Sequence, residues 1–127
     1  MRKILVIDDE KEFCSLIKDI LEITGEYEVV YATDGKHGIK MATEQKPDLI
    51  LLDILIPDKY GTEIACQIRS DESVKNIPIV FLTALIKEKE IGSQGTVIKG
   101  YPFIAKPVST EELIKYIEKN ICGIIKK

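Results

Sequence analysis

Three uninterrupted apolar runs constrain this chain more than anything else in it: Ile4-Leu5-Val6-Ile7, Leu49-Ile50-Leu51-Leu52 and Ile79-Val80-Phe81-Leu82. A strand with one wet face alternates apolar and polar residues. A strand covered on both faces has no reason to alternate, and short β-rich runs of this kind fit that case. The spacing predicts further elements between them. Over 11–24, Phe13, Leu16, Ile17, Ile20 and Leu21 recur at helical spacing, and Gly25 supplies the stop. Residues 27–32 read as a strand. Asp34-Gly35 opens a weak helix over 34–45 carrying Ile39 and Ala42, closed by Pro47. The run over 48–53 is the most hydrophobic strand and takes a central place. A loop with Pro57 and Gly61 leads to a helix over 62–70, and Pro78 begins the strand over 79–83, where a missing N–H does least harm. Ser109-Thr110-Glu111-Glu112 fits a capping box ahead of a helix with Leu113, Ile117 and Ile121 on one face. Strands separated by helices give a parallel sheet covered on both sides, because right-handed crossovers place the helices there.

One stretch breaks the alternation. Residues 84–100 contain Gly92, Gly95 and Gly100 together with Thr96, Val97 and Ile98. Each glycine costs a helix about 1 kcal/mol relative to alanine. A helix there extends at most from about residue 87 to 91, and the remainder is an irregular loop or a hairpin.

The 127 residues suit a single domain over 1–127, with no separate effector domain in the chain. Hydrophobic residues at 45% and charged residues at 31% exclude a disordered chain. A net charge of −3 gives no case for direct nucleic-acid binding or for a membrane surface. No apolar run reaches the ~20 residues of a membrane span, and the one after Met1-Arg2-Lys3 is too short for a signal peptide. The expected location is the cytoplasm. Cys14, Cys66 and Cys122 form no C-x-x-C pair, so each is read as a small hydrophobe in or near the core. His37 has no partner pattern around it and is read as solvated.

Chemistry in an open parallel sheet gathers beyond the carboxyl ends of the strands, near the point where strand order reverses. The polar residues at those ends are Asp8-Asp9-Glu10, Asp53, Thr83 and Lys106. Alone, an acidic pair is more often a helix cap, a threonine a strand residue and a lysine a solvated charge. Together on one rim they describe a pocket. Its carboxylates repel one another unless a cation joins them, and Mg²⁺, which takes hard oxygen ligands and keeps room for a phosphate oxygen, suits them. Lys106 offers a point charge to a second phosphate oxygen, and Thr83 a hydroxyl to a third. Such a site can transfer a phosphoryl group by positioning and charge neutralisation.

These residues sit within motifs that together resemble the receiver domain of two-component response regulators, the CheY-like superfamily. The motifs are Ile4-Leu5-Val6-Ile7-Asp8-Asp9-Glu10, Asp53-Ile54-Leu55-Ile56-Pro57 with Gly61, Leu82-Thr83-Ala84, and Phe103-Ile104-Ala105-Lys106-Pro107. The resemblance implies a flavodoxin-like, doubly wound, five-stranded parallel sheet of order 2-1-3-4-5. It implies that Asp53 accepts a phosphoryl group from a histidine kinase or histidine phosphotransfer protein. Asp8, Asp9, Asp53 and the backbone carbonyl of Leu55 would hold Mg²⁺, Asp8 largely through water. Lys106 would pair with Asp53 and then with the phosphoryl group, while Thr83 and Phe103 would form the switch that reshapes a partner-binding face. The chain would thus be a signalling switch and not an enzyme acting on a separate metabolite. Its downstream partner is open, and so is its oligomeric state, a dimer included.

Several positions depart from the family pattern. Ile56 replaces a frequent Met, Phe103 a frequent Tyr, and the glycine-rich segment occupies the place of the usual fourth helix. Leu55 and Leu85 stand where polar side chains could orient a hydrolytic water, which predicts slow loss of the phosphoryl group; a lifetime of seconds would contradict that. Two other functions remain in competition. A phosphatase of the haloacid-dehalogenase type needs a second Asp two residues past its nucleophile, and here that residue is Leu55. A receiver-like binding module without phosphorylation would not need the full set of Asp8, Asp9, Asp53, Thr83 and Lys106.

Overall fold

The computed structural model describes residues 2–56, 59–83, 97–98, 101–105 and 110–126, with the backbone alone at Leu55, Thr83, Phe103 and some of their neighbours. The elements are β1 (Arg2–Ile7), α1 (Lys11–Glu22), β2 (Tyr27–Ala32), α2 (Gly35–Gln45), β3 (Leu49–Leu52), β4 (Leu55–Ile56), β5 (Lys59–Tyr60), α3 (Gly61–Arg69), β6 (Ile79–Thr83), β7 (Val97–Ile98), β8 (Tyr101–Ala105) and α4 (Thr110–Lys126). The main sheet has the order β2-β1-β3-β6-β8-β7. Its first five strands run parallel, which is the expected 2-1-3-4-5 order. β7 adds a sixth, antiparallel strand, pairing Val97 with Pro102 and Ile98 with Tyr101. A hairpin therefore closes the glycine-rich stretch. The short helix expected near 87–91 lies outside the described residues, as does Ser109, the expected N-cap of α4, while Glu111 and Glu112 stand in the first turn of that helix.

The apolar runs are continuous because each strand feeds two cores. Ile4, Val6, Leu49, Leu51, Val80 and Leu82 turn to one side, where Cys14, Ile17 and Leu21 of α1 and Leu113, Ile117 and Ile121 of α4 cover them. Leu5, Ile7, Ile50, Leu52, Ile79 and Phe81 turn to the other, under Ala42 of α2 and Ile64, Ala65 and Ile68 of α3. Full burial of one such side chain contributes about 1.5–3 kcal/mol, so both layers hold the sheet. The chain leaves β2, passes over β1 and pairs β3 on its far side. Strand order thus reverses between β1 and β3, which opens a crevice above their carboxyl ends.

Local chemistry sets the joints. α1 stops at Glu22 and Gly25 turns the chain at φ +79°, a conformation that suits glycine. Asp34 caps α2 by accepting the backbone N–H of His37 at 2.7 Å. Where a plain loop was expected after β3, Leu55 pairs with Tyr60 and Ile56 with Lys59 in a two-residue antiparallel ladder. Cys66 corrects another expectation: α3 turns it to solvent, whereas Cys14 is buried. The side chain of Cys122 lies outside the described residues. His37 is exposed as expected yet has a partner, its Nδ1 lying 2.7 Å from Asp34 Oδ2.

Candidate phosphoryl-acceptor site

β1 and β3 deliver their terminal carboxylates to the crevice. Asp8 extends the β1–β2 ladder by donating its N–H to Ala32 O at 3.1 Å, and Asp53 extends β3 by donating to Ile7 O at 2.9 Å. Both side chains are buried, Asp8 at 1% and Asp53 at 7% exposure, while Asp9 is exposed. Ligand oxygens from Asp8, Asp9 and Asp53 all lie within 4.8 Å of one another. The strand pairing explains why: β1 and β3 are direct neighbours, with Ile7 opposite Leu52.

The backbone around the cluster is held tightly. Asp8 Oδ1 accepts the N–H of Glu10 at 2.9 Å, an Asx turn that steers the chain into α1. The Cys14 thiol donates to the Asp8 carbonyl at 3.3 Å from the first turns of that helix. On the other strand, Gly61 N–H donates to Ile54 O at 2.6 Å. A Cβ on Gly61 would collide with the Asp53 carbonyl oxygen and lie 2.8 Å from Ile54 Cα. Only glycine lets α3 start this close to the end of β3. Tyr60 N–H then donates to Glu63 Oε1 at 3.3 Å in the first turn.

Two buried carboxylates at this separation repel by roughly 3 kcal/mol at an effective dielectric of 20. Among the described residues the cluster offers three carboxylates, two of them withdrawn from water, and hard oxygens of this kind fit a divalent cation of the Mg²⁺ class. Asp8, Asp9 and Asp53 are the residues that would hold it, with the Leu55 carbonyl next along the chain.

The other expected members divide. Thr83 ends β6 and pairs with Ala105 of β8, so the backbone carries it to the same rim. Phe103 pairs with Phe81 within the sheet. The side chains of Leu55, Thr83 and Phe103 lie outside the described residues, and so do Lys106 and Leu85. Two further residues shape the site: Cys14, which the sequence places only in or near the core, and Gly61, which stands in the motif there without a structural role. Cys14 anchors the Asp8 backbone, for which its residue type gives no signal. Gly61 admits the approach of α3, and its position at the head of a helix was the available signal.

Comparison with known proteins decides the family. The response regulator receiver domain family matches residues 4–118. This chain belongs to that family. Among solved structures, it is similar to a CheY-like response regulator receiver domain protein from Methanospirillum hungatei JF-1, with 25% identity and a TM-score of 0.84. That match covers 99% of this chain and 98% of the other. Chemotaxis response regulator CheY4 of Vibrio cholerae is 28% identical with a TM-score of 0.80, covering 94% and 98%. The receiver domain of sensor histidine kinase PA1611 from Pseudomonas aeruginosa PAO1, solved with a magnesium ion in its active-site cleft, is 26% identical with a TM-score of 0.79, covering 95% and 98%. As a receiver domain the chain has the flavodoxin-like fold of these relatives, and its acidic cluster lies at the switch point of that fold.

Proposed function

We propose that this receiver domain is a phosphorylation-controlled signalling switch whose acceptor is Asp53, and that Mg²⁺ supports the transfer. The observation that carries the proposal is the meeting of the Asp8, Asp9 and Asp53 carboxylates within 4.8 Å. Magnesium in the cleft of the related kinase receiver supports the choice of ion. Bound there, it would supply neutralisation of negative charge on the acids and the incoming phosphate.

In the transfer, an Asp53 carboxylate oxygen attacks phosphorus while the bond from phosphorus to the donor histidine nitrogen breaks. The electron pair of that bond returns to the imidazole ring, and an acyl phosphate forms. Asp8 and Asp9 would hold the cation beside Asp53. Lys106 and the Thr83 hydroxyl would take the remaining phosphate oxygens, and Thr83 with Phe103 would pass the change to a partner-binding face. Leu55 and Leu85 offer no polar group to orient hydrolytic water, which favours a persistent signal. No separate substrate is turned over, so the protein is a switch and not an enzyme in the metabolic sense.

The donor in this reading is a histidine kinase or a histidine phosphotransfer protein. α1 begins two residues beyond Asp9 and exposes Leu16 (53%), and Ile23 (87%), which caps its C-terminus, continues the helical spacing with half-buried Ile20 between them. A protein presenting its histidine to Asp53 would lay an apolar surface along that stripe. Among the described residues, no helix is long and apolar enough to cross a membrane; the cytoplasm is the proposed place of action. Mapping the modified residue tests the proposal. After incubation with a phosphoramidate and Mg²⁺, hydroxylamine-labile phosphate should map to the peptide containing Asp53; label on His37 or a serine would contradict it.

A further inference from the structure

β2 is an edge strand of the main sheet. Its even-numbered residues address β1: Glu26 O accepts from Arg2 N, and Ala32 O accepts from Asp8 N, both at 3.1 Å. Val29, at an odd position in the same register, therefore turns its N–H and C=O toward the open side. An edge of this kind is a template for another strand. Here two side chains of α1 already occupy it. Val29 N–H donates to Glu22 Oε2 at 3.0 Å, and Lys18 Nζ donates to Val29 O at 3.0 Å. Lys18 Nζ also donates to Glu22 Oε2 at 2.8 Å, which closes the ring. One acceptor and one donor thus stand where the carbonyl and amide of a neighbouring strand would stand. The Glu22 carboxyl is held below the usual range by its bond to Lys18 and then by the Val29 N–H.

Beneath the ring the edge is complementary to itself. Two copies of β2 paired antiparallel about Val29 would exchange both hydrogen bonds of that residue. Tyr27 of one copy would face Tyr31 of the other, and Glu28 would face Val30, so no like charges stand opposite. We propose that Lys18 and Glu22 are a latch over a latent strand-pairing edge, and that its occupant once the latch opens is β2 of a second copy of this chain. Neither residue belongs to the carboxylate cluster, so the latch is independent of the phosphoryl chemistry.

Residue-resolved amide exchange and sedimentation test this on the intact chain. In the wild type, the Val29 amide should be protected despite lying on an edge; exchange at the free-peptide rate would overturn the latch without any variant. Glu22→Met, which keeps the apolar stem, should speed Val29 exchange about ten-fold while the amides of Ile4 to Ile7 hold their rates. In Lys18→Met/Glu22→Met, apparent mass should rise with concentration above the wild type at the same concentration. Resonance shifts should then centre on Tyr27 to Tyr31. Association through another surface, or none up to millimolar protein with Val29 unprotected, would overturn the assignment of a second copy.

Discussion

Gly61 stands against the main-chain carbonyl of Asp53, with no space for a side chain between them. The start of α3 and the end of β3 are therefore one mechanical unit. Gly61→Ala forces one of them to shift, at a cost of about 1–3 kcal/mol. Urea unfolding should show that loss, and calorimetric titration should show weaker Mg²⁺ binding in the same variant. Unchanged stability and affinity together would mean that the contact is slack.

Asp9 is the exposed member of a cluster whose other two carboxylates are buried. Asp9→Asn removes repulsion without emptying a core position. In chelator, the variant should melt at a higher temperature than wild type, because like charges raise the cost of the folded cluster. In Mg²⁺ the order should reverse, since ligand binding to the native state stabilises in proportion to its affinity. Paired melting curves check both signs.

Asp34 caps α2, and its carboxyl is held below the ordinary carboxylate range, first by the backbone N–H of His37 and then by the His37 ring. A depressed carboxyl contributes stability that is present above its unfolded pKa and lost as pH falls through the folded value. Glu22 and Asp71 are depressed as well, Asp71 by the Ser73 hydroxyl and backbone N–H. The share of stability that these three carboxylates contribute should thus be lost as pH falls through the ordinary carboxylate range and below it. Asp34→Ala should lose about 1 kcal/mol at neutral pH and show a shallower acid decline; denaturant melts across pH read both.

Leu16 projects from α1 on the side facing away from the core. Leu16→Asp should leave the fold and labelling by a small phosphodonor unchanged, since it touches neither core nor cluster. Transfer from a phosphorylated histidine protein should slow at least several-fold, read as the initial rate of phosphate loss from that donor. Equal slowing with both donors would place the defect in the site and not in docking.

The parts legible from sequence were those with a one-dimensional signature. Strands β1, β3 and β6 announced themselves because each is buried on both faces, and Asp8, Asp9 and Asp53 because a charge directly after such a run must stand at the rim. Two-residue strands have no period, so the β4–β5 ladder read as a loop. Residue type could not say which side of α3 Cys66 occupies. Asp34 and His37 were within reach, being spaced as an N-cap and its third helical residue. The bonds from Lys18 and Glu22 to Val29 were not, since an i,i+4 ion pair on a helix is ordinary and only the folded chain sets the β2 edge beside it.

The most direct measurement is the intact mass of the protein after exposure to a small phosphodonor, with and without Mg²⁺. The wild type should gain a single phosphoryl group in the presence of Mg²⁺ and far less in chelator, while Asp53→Asn gains none. A phosphoryl group on Asp53→Asn, or an unmodified wild type with every donor that phosphorylates other receiver domains, would contradict Asp53 as the acceptor.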